Sequence, residues 1–109
     1  MKRGEVWTAS GGPDYTGKPR PVVILQSDKF SARDSVTVCP LTTDAADLPF
    51  LRIAILPTDG NGLRRPSRIM LDKIATIRKT KLGERVGSLD QEDTTRLNDA
   101  VFTFLGLGD

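Results

Sequence analysis

The stretch ERVGSLDQEDTTRLNDAVFTFLGLG, residues 84–108, changes its hydrophobic period part-way along. Up to Leu89 it offers one short strand. From Asp90 onward, Leu97, Ala100, Val101, Phe104 and Leu105 recur at helical spacing. Asp90 is a fitting N-cap, since its carboxylate can accept from the free N–H groups of a first turn. Glu92 and Asp93 in that turn favour the positive end of the helix dipole. Gly106 or Gly108 suits the C-terminal stop. The sequence therefore predicts one helix at the end of a chain whose earlier part has a different period.

That earlier part reads as short strands separated by turn residues. EVWTAS (5–10) alternates, with Val6 and Thr8 on one face and Trp7 and Ala9 on the other. GGPDYTGKPRP (11–21) is turn chemistry throughout, a long loop for a small domain, and such loops often carry function. PVVILQSD (21–28) contains Val22 to Leu25, a continuous apolar run expected to be buried on both faces. SVTVCPLTT (35–43) is a third strand, expected to bulge or end near Pro40, which has no ladder donor. LRIAIL (51–56) is a fourth, PTDGNGLRRP (57–66) a loop, and SRIMLDKIATI (67–77) one long strand or two short ones. The sum is a mainly β fold, a small and strongly bent sheet or barrel, with a C-terminal helix over an open face.

The bulk properties narrow the function classes. At 109 residues the chain is expected to form a single domain, 1–109. No apolar run is long enough to span a bilayer, and the basic start MKRGEVW leads into no signal-like apolar segment, so no membrane role is expected. Cys39 has no second cysteine to pair with, which fits a reducing cytoplasm. Without histidine, no transition-metal or Cys–His motif can be assembled. There is no Walker-type glycine loop and no nucleophile elbow. The net charge of +2 hides an asymmetry: residues 64–85 are strongly basic and residues 86–109 mostly acidic. A basic stretch can be a footprint for nucleic acid, or simply a solvated face.

Two polar features invite a chemical reading. Arg20 stands between Pro19 and Pro21, each of which fixes its own φ and restricts the residue before it. Its fork is thus pre-aimed, ready for an anion. Thr42 and Thr43 put hydroxyls at the end of the third strand, just beyond Pro40.

MKRGEVW, GKPRPVVILQSD, VTVCPLTTD and LDKIATI occur in that order, with LGERVGSLD leading into the helix. Taken together they resemble the MazF/PemK-type toxins, the ribonuclease members of toxin–antitoxin pairs, over almost the whole chain. The resemblance implies a small SH3-like β-barrel of the MazF/PemK/CcdB type, assembled as a homodimer. It also implies metal-independent cleavage of single-stranded RNA at short sequences, with no cofactor. The ribose 2′-hydroxyl would attack, leaving a 2′,3′-cyclic phosphate and a 5′-hydroxyl. The family's catalytic arginine falls on Arg20 and its catalytic threonine or serine on Thr42. Asp72 sits where members often carry an acid, a candidate for RNA binding or for positioning Arg20. A cognate antitoxin with an acidic tail would be the protein partner.

Further RNA contacts are expected from Asp14, Tyr15, Lys18, Thr43, Arg64, Arg65, Arg68 and Lys73. Tyr15 in its Gly/Pro loop could stack on a base, whereas Trp7, in a first strand, is expected in the core. The chain departs from the family at two places. Tyr15 falls where many members have a glutamate, and Met70 where some have an arginine. Two rival readings stand beside this one: a CcdB-like gyrase poison of the same fold, and a plain SH3-like binding module. The ending FLGLGD lacks the tryptophan–glycine–isoleucine that gyrase poisons use.

Overall fold

The computed structural model describes residues 1–10 and 18–109. Its strands are β1 (Glu5–Ala9), β2 (Arg20–Ile24), β3 (Ser35–Thr42), β4 (Arg52–Ile55), β5 (Ser67–Met70), β6 (Ala75–Arg78) and β7 (Leu82–Ser88), followed by helix α1 (Gln91–Phe104). The sheet is antiparallel with order β4-β5-β3-β2-β1-β7, and β6 pairs β3 beside this path. It bends strongly without closing, so the barrel is open between β4 and β7. The loop after β4 helps span that opening: the Ser88 N–H donates to the Gly60 carbonyl at 2.8 Å.

The apolar run of β2 is buried on both faces because the bent sheet has a core on each side. Val23 joins Val6, Cys39, Leu41, Ile53, Ile55, Ile69 and Leu97 in the larger cluster. Val22 and Ile24 join Ala9, Val36 and Val38 in the smaller one, against which Trp7, Ile77 and Leu82 pack. Burying each such aliphatic side chain contributes about 1.5–3 kcal/mol. Trp7 is accordingly a packing residue, and its Nε1 donates to Glu5 Oε1 at 3.1 Å.

β3 runs two residues past Pro40 to Thr42, and the interruption near Pro40 is a change of partner strand rather than the bulge or end expected from sequence. The Leu25 N–H donates to the Thr37 carbonyl (3.0 Å), so Thr37, Cys39 and Leu41 turn their backbone groups toward β2. Pro40 therefore faces the opposite edge, where β3 changes partner from β6 (through Val38) to β5 (from Leu41). A missing N–H costs little where the ladder is already interrupted. SRIMLDKIATI resolves into two strands, β5 and β6, joined by a 3-10 turn at Leu71–Lys73.

The helix is capped at both ends. Asp90 accepts from the Asp93 N–H at 2.8 Å. Gly106, at φ 70°, makes the left-handed stop, with N–H bonds from Gly106 to Thr103 (3.1 Å) and from Leu107 to Phe102 (3.1 Å). Leu97 is fully buried and Ala100 and Val101 pack beside it, but Phe104 and Leu105 are exposed. Phe104 closes the last turn and Leu105 is the C-cap. Arg96 fastens the helix to β4 by donating to the Ala54 carbonyl at 2.8 Å.

Candidate functional site

β2 and β3 are neighbours in antiparallel register, with Val22 opposite Pro40. That register brings the start of β2 beside the end of β3. Arg20, Pro21, Pro40 and Thr42 consequently share the wall of a concavity of about 310 Å³, completed by Thr43, Leu41, Ser67, Met70 and Lys73. Residues far apart in sequence thus meet, and the cationic and hydroxyl groups among them converge on one volume.

Arg20 is exposed at the first position of β2. Among the described residues, no hydrogen bond or ion pair engages its guanidinium, so the fork's donors are available to an anion. Thr42 is half-buried and its Oγ1 accepts from the Asp44 N–H at 3.1 Å. Because that bond uses the oxygen as acceptor, the hydroxyl proton remains free to donate. Asp44 Oδ1 in turn accepts from the Ala46 N–H at 3.1 Å. These nested side-chain turns hold the chain leaving β3 in a fixed direction. Pro21, Pro40 and Met70 supply apolar walls beside these polar groups.

The other sequence candidates among the described residues do not line this concavity. Lys18, Arg64 and Arg65 are exposed and do not line it. Arg68, opposite Thr42 on β5, donates to the carbonyls of Ala45 and Ala46 and so braces the turn after Thr42. Asp72 pairs with Arg52. The 3-10 turn after β5 carries Asp72 back over Arg52, the cross-strand partner of Met70, rather than toward Arg20. Asp14 and Tyr15 lie outside the described residues.

Ser67 and Arg52 have roles that the sequence did not single out, and Met70, noted there as a departure, takes a place in the wall. Ser67 lines the concavity, and its hydroxyl donates to the Arg65 carbonyl at 2.9 Å. Met70 is a departure from the family in sequence and an apolar wall in the structure. Arg52 could have been flagged, since the alternation of β4 turns it away from Ile53 and Ile55. Cys39, behind Pro40, is no nucleophile. Burial, reinforced by Asp72 and opposed by Arg52, pushes its thiol up to about 12, and its Sγ donates to the Met70 carbonyl at 3.1 Å. Among the described residues no group of acids and cysteine is arranged to hold a metal ion.

A cation beside a donating hydroxyl, in a cleft walled by apolar groups, suits stabilisation of a phosphoryl oxyanion. Known proteins of similar sequence and fold are named as endoribonucleases and toxins. A probable endoribonuclease MazF from Mycolicibacterium smegmatis is 48% identical over 107 residues, covering 98% of each chain. Endoribonuclease EndoA of Bacillus subtilis is 30% identical over 115 residues, covering 100% of this chain and 97% of its own. Among solved structures, a mycobacterial endoribonuclease in complex with its cognate antitoxin superposes with a TM-score of 0.82 at 26% identity, covering 98% of this chain and 96% of the other. The Mycobacterium tuberculosis toxin MazF-mt6 gives 0.76 at 29% identity, covering 91% and 93%. With residues 2–105 matching the family described as PemK-like, MazF-like toxin of type II toxin–antitoxin system, the chain belongs to that family.

Proposed function

We propose that this protein is a toxin endoribonuclease that cleaves single-stranded RNA at short sequences without a metal ion. The observation that carries the reading is the convergence of Arg20 and Thr42 on one concavity. In the reaction a ribose 2′-hydroxyl attacks the adjacent phosphorus and the bond to the 5′-oxygen breaks. The products are a 2′,3′-cyclic phosphate and a 5′-hydroxyl. Arg20 stabilises charge on the phosphoryl oxygens and on the departing oxygen, Thr42 donates to a phosphoryl oxygen, and Thr43 and Lys73 hold the neighbouring phosphate. The exposed Lys18, Arg64 and Arg65 attract the strand to the site.

The protein acts in the cytoplasm as a homodimer, held inactive by a cognate antitoxin whose acidic segment covers Arg20. The mycobacterial relative solved with its antitoxin supports this regulation. The gyrase-poison alternative is not favoured, because the named relatives are endoribonucleases.

The test is incubation of the pure protein with a long natural RNA in the presence of a chelator, with end-mapping of the products. Cleavage leaving cyclic phosphate ends is expected. A charge-assisted hydrogen bond is worth about 1.5–3 kcal/mol, so Arg20→Ala should slow cleavage about tenfold to about 150-fold. No cleavage by the parent protein, or undiminished cleavage by Arg20→Ala, overturns the proposal.

A further inference from the structure

At the end of β3 away from Thr42 lies a second concavity, of about 800 Å³, which the proposed cleavage does not use. Arg33, Asp34 and Ser35 form one wall, and Arg78, Lys79 and Thr80, where β6 passes into a 3-10 turn, form the other. Ser35 and Arg78 are cross-strand partners, so the sheet fixes the two walls relative to each other. Lys79 is tied across the cup twice. Its N–H donates to the Asp34 carbonyl at 2.9 Å, and its Nζ donates to the Ser31 carbonyl. Arg33 and Arg78 are exposed, and among the described residues no ion pair engages either, although Asp34 lies in the same cup.

The segment joining the two concavities is basic. From Lys73 to Gly83 the chain carries Lys73, Arg78, Lys79 and Lys81 and no acid. On the face that carries Ser35, Thr37 and Thr76 are joined hydroxyl to hydroxyl at 2.8 Å, which continues the polar surface of the cup along β3 and β6 as far as buried Cys39. From Ser35 to Thr42, β3 extends for about 23 Å at roughly 3.3 Å per residue.

We propose that this cup is a second phosphate-binding site, which holds the RNA strand beyond the nucleotides seated at Arg20. The inference rests on the ribonuclease reading and extends it to the flanking strand. Arginine forks and the hydroxyls of Ser35 and Thr80 match phosphate oxygens. An acidic peptide ordering on the surface would need apolar anchors, and the cup offers only Ala32. At a stacked rise of about 3.4 Å per nucleotide the length of β3 corresponds to about seven nucleotides, the least that separates the two sites.

The test is binding of mixed-sequence 2′-O-methyl RNAs, which lack the nucleophile, of about 5 and about 25 nucleotides, lengths that reach one site or both. Arg33→Gln/Arg78→Gln should weaken the longer RNA about tenfold. Its salt slope should fall by about 1.4, since each phosphate no longer neutralised accounts for about 0.7. The shorter RNA should be unaffected, and Arg33→Glu/Arg78→Glu should weaken the longer one further while melting unchanged. Unaltered binding of the longer RNA, or equal weakening at both lengths, overturns the proposal and leaves the cleavage site standing. Oligoglutamate captured through the same arginines, with RNA binding unaltered, assigns the cup to a peptide and also overturns it. Failure of the parent protein to bind either RNA defeats the ribonuclease reading with it.

Discussion

Asn61→Ala should destabilise the protein more than any surface loop substitution would suggest. Asn61 is 1% exposed, and its side chain organises the loop between β4 and β5. Its Oδ1 accepts from the N–H groups of Thr58 and Leu63, both at 3.0 Å, and its Nδ2 donates to the Leu56 carbonyl at 2.9 Å. Its own N–H is held by Thr58 Oγ1 at 3.0 Å, a bond that alanine would keep. Truncation therefore removes the three side-chain bonds and orphans two donors and an acceptor. At a net of about 1 kcal/mol for each bond the loss is about 3 kcal/mol. Leu56 and Thr58 are exposed, so water can reach part of the freed backbone and keeps the cost from rising much beyond that. For a domain of this size the melting temperature should fall by roughly 12–20 °C. Thermal unfolding followed by far-UV circular dichroism, with urea midpoints as a second measure, reads this directly. A melting temperature within about 4 °C of the parent for Asn61→Ala would refute the claim that this side chain holds the loop. Arg64 and Arg65 follow directly, so RNA affinity should also drop in the variant at temperatures where it remains folded.

Other expectations concern packing, pH and the thiol. Gly87→Ala would place a methyl 2.4 Å from the Gly60 carbonyl oxygen and 2.5 Å from the Asn61 carbonyl carbon, separating β7 from the loop. A loss of at least about 1–3 kcal/mol in urea unfolding is expected. For Glu5, burial would raise the carboxyl, but the Lys2 N–H, Trp7 Nε1 and Arg85 guanidinium together hold it below its ordinary 4.5. The unfolded chain then takes up that proton first on acidification. Glu5 should therefore stabilise fully above pH 4.5 and lose its contribution as pH falls below it; Glu5→Gln should flatten this limb of the urea midpoint against pH. Cys39, with its thiol pushed up to about 12, should resist a thiol reagent at pH 8 in the folded protein and react at once in denaturant.

Much of this architecture can be read from local pattern because each strand carries its own period. The alternation of β1, the doubly buried run of β2, and the Asp90 and Gly106 caps are properties of neighbouring residues. Arg20 is legible for the same reason, since the flanking prolines are adjacent to it. What stays hidden depends on pairing. Pro40 looks like a stop because sequence does not reveal that β3 exchanges β6 for β5 there. The bond between Asp72 and Arg52 needs the β4–β5 register, and Ser67 enters the concavity only because β5 lies beside the end of β3. Phe104 and Leu105 fit the helical stripe equally well whether or not sheet lies beneath them, so periodicity could not reveal their exposure.

β3 belongs to both cores, with Val36 and Val38 in one and Cys39 and Leu41 in the other. Thr42 is the last residue of that strand. Freeing the strand on one side leaves it clamped on the other, so its amides should exchange with deuterium only through complete unfolding. The loop at 57–66 carries no such double clamp. On the proposed mechanism, substitutions in the rim at 57–66 can therefore alter which RNA is cut without disturbing the rigid floor that carries Thr42.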